Sequence, residues 1–129
     1  MIVVDTSVFV DYFNGEINSE TDTLDAILGN QLIVVGDLIA MELLQGFRES
    51  KDLNRVLSLF NDLEKREMIT FDWAIKYAEM YRYLRSKGIT IRKSIDTIIA
   101  GYCIIHNLPL LQRDRDFQPY QKYLGLNLL

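Results

Sequence analysis

Several apolar runs in this sequence end in, or enclose, a carboxylate. Asp5 closes IVV at the start of the chain, Asp96 sits in SIDTIIAGYCII, and Asp114 and Asp116 follow PLLQ in RDRDF. Glu42, in IAMELLQG, is a further acid on an apolar segment. Two like charges about 4 Å apart repel by ~4 kcal/mol at an effective dielectric of about 20. Carboxylates that converge must therefore take up protons or hold a cation. With one histidine, His106, and one cysteine, Cys103, the chain has no Cys/His zinc spacing. Oxygen ligands alone favour Mg²⁺ or Mn²⁺, and Mg²⁺ characteristically binds through a few carboxylates together with substrate phosphate. The chemistry on offer is metal-assisted reaction of a phosphate ester.

Each acid also has a purely local reading. Asp5 can cap a following helix. Glu42, Gln45 and Glu49 fall on one helical face that solvent could cover. Asp96 can complement the first-turn dipole of a helix beginning near Ser94, although an unpaired charge in so apolar a segment is costly. Asp114 and Asp116 can form a turn, with Arg113 and Arg115 as surface partners. Cys103 reads as buried core, and His106 as the polar end of a helix.

The elements that must position these groups follow from periodicity. Ile2 to Val4, β-branched and without alternation, read as a strand covered on both faces. SVFVDYF suits a short helix closed by Asn14 and Gly15; a second helix runs from Ser19, with Asp22 completing an approximate capping box, to Gly29. QLIVV is a second strand. Asp37 can cap a third helix through LIAMELLQGFRES, and Ser50 a fourth with Leu53, Val56, Leu57, Phe60 and Leu63 on one stripe. Met68 to Phe71 are a third strand candidate; Asp72 caps a long helix ending at Gly88, and another helix covers Ser94 to His106. Pro109 to Gln112 and, more briefly, Leu126 to Leu128 complete the strands. Strands alternating with helices predict a three-layer α/β/α sandwich with a mainly parallel sheet, in which ligands sit beyond the carboxyl ends of the strands. Asp5 and Asp114 fall at such ends.

Over 129 residues, with 49% hydrophobic and 25% charged residues and only two prolines, we expect one folded domain spanning residues 1–129. No apolar stretch approaches the roughly 18–20 residues of a membrane span, and no leader pattern opens the chain, so the expected location is the cytoplasm. A net charge of −4 argues against bulk attraction to nucleic acid but allows a local basic patch. Arg82, Arg85, Lys87, Arg92 and Lys93, with Arg113 and Arg115 beside the acids, are the candidates for a nucleic-acid backbone, set against ordinary solvated surface. The stripe Tyr77, Met80, Tyr81 and Leu84 reads as core or as an interface.

At these residues the chain resembles the PIN-domain ribonucleases, and in particular the VapC-type toxins of toxin–antitoxin pairs. VVDTSVFVDYF is similar to the family's first strand and acid, LIAMELLQG to its glutamate helix, SIDTIIAGYC to its third-acid helix, and LPLLQRDRDF to its fourth-acid strand and loop. The resemblance implies a PIN-like fold and a Mg²⁺- or Mn²⁺-dependent endoribonuclease with Asp5, Glu42, Asp96 and Asp114 as its acidic quartet and Asp116 as an additional acid. Asp5, Asp96 and Asp114 would bind metal directly, and Glu42 would be a ligand or hold the attacking water. Thr6 or Ser7 would orient Asp5, or serve as helix caps. Gln112 stands where the family commonly has threonine or serine. A homodimer and a small protein antitoxin are also implied.

Three alternatives remain open. A receiver-type phosphoacceptor could use Asp72 but lacks a lysine after PLLQ; an aspartate-nucleophile phosphohydrolase would want an acid where Ser7 stands. A PIN-like nuclease or RNA-binding module outside any toxin–antitoxin pair is the third.

Overall fold

The computed structural model describes residues 1–129. In chain order the elements are β1 (Ile2–Val4), α1 (Thr6–Phe13), α2 (Ser19–Ile27), β2 (Ile33–Gly36), α3 (Asp37–Gln45), α4 (Ser50–Phe60), β3 (Glu64–Arg66), α5 (Phe71–Ser86), α6 (Ser94–His106), β4 (Leu110–Leu111), a 3₁₀ turn (Arg115–Phe117) and α7 (Gln118–Leu124). The four strands form one parallel sheet in the order β3-β2-β1-β4. β1 lies inside that sheet and all three of its residues are buried, which explains its unbroken β-branched run.

The strand order fixes where a site can form. The chain steps from β1 to β2 to β3 through α1–α4, then returns through α5 and α6 to the far side of β1. Right-handed crossovers made in opposite directions put the two sets of helices on opposite faces, giving three layers. The direction of winding reverses between β1 and β4, and in open α/β sheets the crevice beyond such a reversal is the ligand-binding position. Asp5 follows β1 directly, and Asp114 lies shortly after β4.

Close packing holds α6 in place. A Cβ on Gly101 would stand 2.3 Å from the Tyr77 ring, so glycine is what lets α5 press its aromatic side chain against α6. The Tyr77 hydroxyl in turn donates to the Met68 carbonyl at 2.7 Å. One turn earlier on the same helix, the Thr97 and Tyr120 hydroxyls share a buried 2.6 Å hydrogen bond that ties α6 to α7.

Several expectations are corrected. The third strand is the charged segment Glu64–Arg66, paired in parallel with β2, and not Met68 to Phe71. It is an edge strand whose outer rim meets water, so charge is compatible with it and guards it against further pairing. Met68 is instead a buried plug whose sulfur occupies the space a Cβ on Gly36 would need, while Phe71 is 84% exposed. Thr70, not Asp72, caps α5, and Asn18, with Thr21, forms the capping box of α2 one residue before the expected position. Asp37 opens α3 as its first helical residue, α3 stops at Gln45, and the Asp37 carboxylate accepts from the backbone N–H groups of Leu38 and Met68. The terminal strand is reduced to a single bridge between Leu110 and Leu128, and α7 was not expected at all.

Candidate active site

Asp5, the first of the candidate site residues, is a helix cap. It is 6% exposed and caps α1, its Oδ2 accepting from the Ser7 backbone N–H at 3.2 Å and the Ser7 hydroxyl at 2.6 Å. Burial pushes its carboxyl above the ordinary range; the two Ser7 hydrogen bonds oppose that, and the charge on Glu42 reinforces it. Thr6 turns the other way: its hydroxyl donates at 2.8 Å to Glu42 Oε1 on α3. The two hydroxyls that follow Asp5 thus orient two different acids.

Asp96 lies in the first turn of α6, a helix with no side-chain cap. A helix N-terminus favours an ionised carboxylate, yet its pKa is pushed up to about 6. Burial is the main cause, followed by the charges of Asp5 and Asp114; Lys93 opposes, and Asp116 adds a smaller push. Carboxylate oxygens of Asp96, Asp114 and Asp116 all lie within 4.8 Å of one another. Asp114 caps the 3₁₀ turn by accepting from the Asp116 backbone N–H at 2.9 Å, which sets the two acids side by side. The structure therefore gathers Asp96, Asp114 and Asp116, and couples Asp5 electrostatically both to this trio through Asp96 and to Glu42.

The cations divide into committed and free groups. Arg92 Nη2 donates to both oxygens of Asp116 at 3.0 and 3.3 Å, but its side chain is 74% exposed and the pair is correspondingly weak. Arg113 is bound to Asp11 on α1, whose carboxylate also accepts from the Asn18 amide at 3.1 Å. Asp11 is nearly buried, so this clamp joins the exit of β4, and with it Asp114, to the helix that Asp5 caps. Lys93 and Arg115 form no ion pair.

Sequence reasoning missed Asp11 and Tyr120 as contributors. Asp11 carried the same signal as Asp96, an acid inside an apolar run, here VFVDYF. Tyr120 could be found only through α7. Cys103, two turns beyond Asp96 on α6, is buried, and its thiol is pushed up to about 12 by burial and then by the charge of Asp5. It stays protonated and has no nucleophilic role.

Acids from four separate segments face the reversal point of a parallel sheet with no nitrogen or sulfur donor among them, an all-oxygen set that suits a hard divalent ion. The PIN domain family model matches residues 2–123, and the chain belongs to that family. It is 32% identical over 127 residues to Ribonuclease VapC1 of Methanocaldococcus jannaschii, covering 98% of this chain and 85% of that protein. Among solved structures it is similar to VapBC2 from Rickettsia felis bound to a promoter DNA fragment, with a TM-score of 0.77 at 22% identity, covering 100% of this chain and 98% of that one. A toxin–antitoxin complex from Klebsiella pneumoniae matches with a TM-score of 0.73 at 16% identity, covering 100% and 96% of the two chains. At these identities the two structures establish the three-layer fold.

Proposed function

We propose that this chain is an endoribonuclease toxin of the VapC type, in which residues 1–129 act as one domain that cleaves RNA phosphodiester bonds with Mg²⁺ or Mn²⁺. The observation that carries this reading is the convergence of Asp96, Asp114 and Asp116 oxygens within 4.8 Å, beside a buried Asp5, in a chain of the PIN family. The donor set fits a hard divalent ion. It is all oxygen, and its members repel one another: the charges of Asp5 and Asp114 add to burial in raising Asp96.

Asp5, Asp96 and Asp114 would hold the ion, with Asp116 as a further donor once Arg92 lets go. When bound, the ion supplies Lewis acidity to the phosphodiester and to the attacking water. Glu42, aligned by Thr6, holds that water against the phosphate. Ser7 keeps the Asp5 carboxylate in one orientation. The Arg113 clamp keeps Asp114 in register with it. Lys93 and Arg115 are the free cations beside the acids, and they meet the RNA backbone.

An end-labelled mixed RNA pool tests this directly. We expect cleavage with Mn²⁺, none with EDTA, and none by Asp5→Asn; the double charge reversal of Lys93 and Arg115 should raise KM with little change in kcat. Cleavage that survives both EDTA and Asp5→Asn would sink the assignment.

As a toxin the protein would be restrained by a protein antitoxin, a reading supported by its likeness to a toxin–antitoxin complex, and we expect it to act in the cytoplasm as a homodimer. No helix is long and apolar enough to cross a membrane. Light scattering at micromolar concentration should give twice the chain mass, and expression of the chain alone should arrest a host that tolerates Asp5→Asn. A monomer would remove the dimer, and unimpaired growth would remove the toxin role.

A further inference from the structure

Gln112 Oε1 is the one buried side-chain polar atom in the molecule without a hydrogen-bond partner. Such atoms are rare in folded proteins because the lost hydration is not replaced, and each one asks for a partner. The sheet register shows where this one lies. Val3 pairs with Leu110 and Val4 with Leu111, and the Asp5 N–H donates to the Leu111 carbonyl at 2.9 Å, so the next step of the ladder sets Gln112 beside Asp5. Neighbours in register across parallel strands point their side chains to the same face.

The chain then runs without a bend to Asp114, whose backbone is still extended (φ −104°, ψ 121°). Alternation along that segment puts Gln112 and Asp114 on one face and Arg113 on the other, where Arg113 meets Asp11. The orphan oxygen therefore belongs to a side chain that shares a face with those of Asp5 and Asp114. A cation satisfies all of them together.

We propose that Gln112 is a ligand of the divalent ion, adding through Oε1 a neutral oxygen to the carboxylates of Asp5, Asp96 and Asp114; this rests on the reading of those acids as a metal centre. Hard divalent ions accept carbonyl oxygen readily. A neutral donor at this position completes the coordination without adding charge to a group of carboxylates already within 4.8 Å of one another.

The test is a titration of Mn²⁺, followed by the loss of its free-ion electron paramagnetic resonance signal, on the wild-type protein, Gln112→Met, Gln112→Glu and Asp96→Asn. Thermal melts in EDTA accompany it. Gln112→Met is expected to weaken Mn²⁺ binding at least about ten-fold while leaving the metal-free melting temperature unchanged or higher, because an unpaired buried oxygen has gone. Gln112→Glu, which puts a charged oxygen in the same place, is expected to strengthen binding, so the proposal stays testable if the methionine variant folds poorly. If both variants bind Mn²⁺ within about two-fold of wild type while Asp96→Asn has lost it, Gln112 is not a ligand and its partner is an ordinary buried water. If Asp96→Asn binds Mn²⁺ as wild type does, the underlying metal-centre reading fails instead.

Discussion

Asp96→Asn is expected to abolish RNA cleavage while making the metal-free protein more stable at neutral pH. The loss of activity follows from the removal of a carboxylate that would hold the ion: metal catalysis is worth several kcal/mol of transition-state stabilisation, so a fall on the order of 10³-fold is expected. The gain in stability follows from the raised carboxyl. In the fold Asp96 keeps its proton up to about 6, whereas in the unfolded chain it releases it near 3.8. Below the lower value both states are protonated and nothing is lost. As pH rises between the two, the unfolded chain ionises first and folding becomes less favourable, until the full penalty stands above the folded value. The whole shift corresponds to about 3 kcal/mol, but Asp96 is only partly buried, and solvent screening reduces this to about 1–2 kcal/mol. Asparagine carries no charge at any pH. Its advantage in EDTA should thus be absent at about pH 3.5, grow through pH 6 and level off above it, read as a melting temperature several degrees higher at pH 7.5. Equal melting temperatures at pH 7.5 would show that the carboxylate is not held against its neighbours.

The same contrast explains how much of the molecule the sequence discloses. Asp5, Asp96 and Asp114 stood out because each interrupts or ends an apolar run, a signal carried by the few residues around it. The alternation of strands and helices gave the layered fold for the same local reason. What was hidden depends on partners distant in sequence. Glu64, Lys65 and Arg66 have no strand pattern of their own and become a strand because the edge of β2 is there to pair with. Met68 to Phe71 have an apolar run but no neighbour in the sheet. Arg113 and Asp11 are 102 residues apart, and nothing in RDRDF says which arginine turns away from the acids. Asp5 illustrates why a local and a functional reading need not compete. The cap on α1 uses Oδ2 alone and fixes the orientation of the carboxylate, which leaves Oδ1 outside the capping bonds. α7 spans only seven residues, too short for a helical period to declare itself, yet Tyr120 from that helix anchors Thr97 next to Asp96.

Saturating Mn²⁺ should raise the melting temperature of the wild-type protein by about 10 °C at pH 7.5 and by much less at pH 5. A ligand at 100 times its Kd that binds only the fold stabilises it by about 2.7 kcal/mol, and a domain of this size gains roughly 3–5 °C per kcal/mol. The pH dependence distinguishes this centre from scattered surface acids. Burial raises Asp5, and burial with neighbouring charge raises Asp96 to about 6, so at pH 5 the ion must displace protons that an ordinary carboxylate would already have released. The stabilisation should therefore climb through pH 6 and then level off, and calorimetry in buffers of different ionisation enthalpy should show proton release near pH 6 that disappears by about pH 8. Asp96→Asn should flatten both curves. Mn²⁺ held by surface acids would instead give a small shift, already complete at pH 5 and removed by moderate salt, because exposed charges separated by more than about 10 Å are screened at 0.1 M ionic strength. That outcome would mean that the acids relieve their repulsion by protonation alone, and the nuclease would then need its metal to arrive with the RNA phosphate.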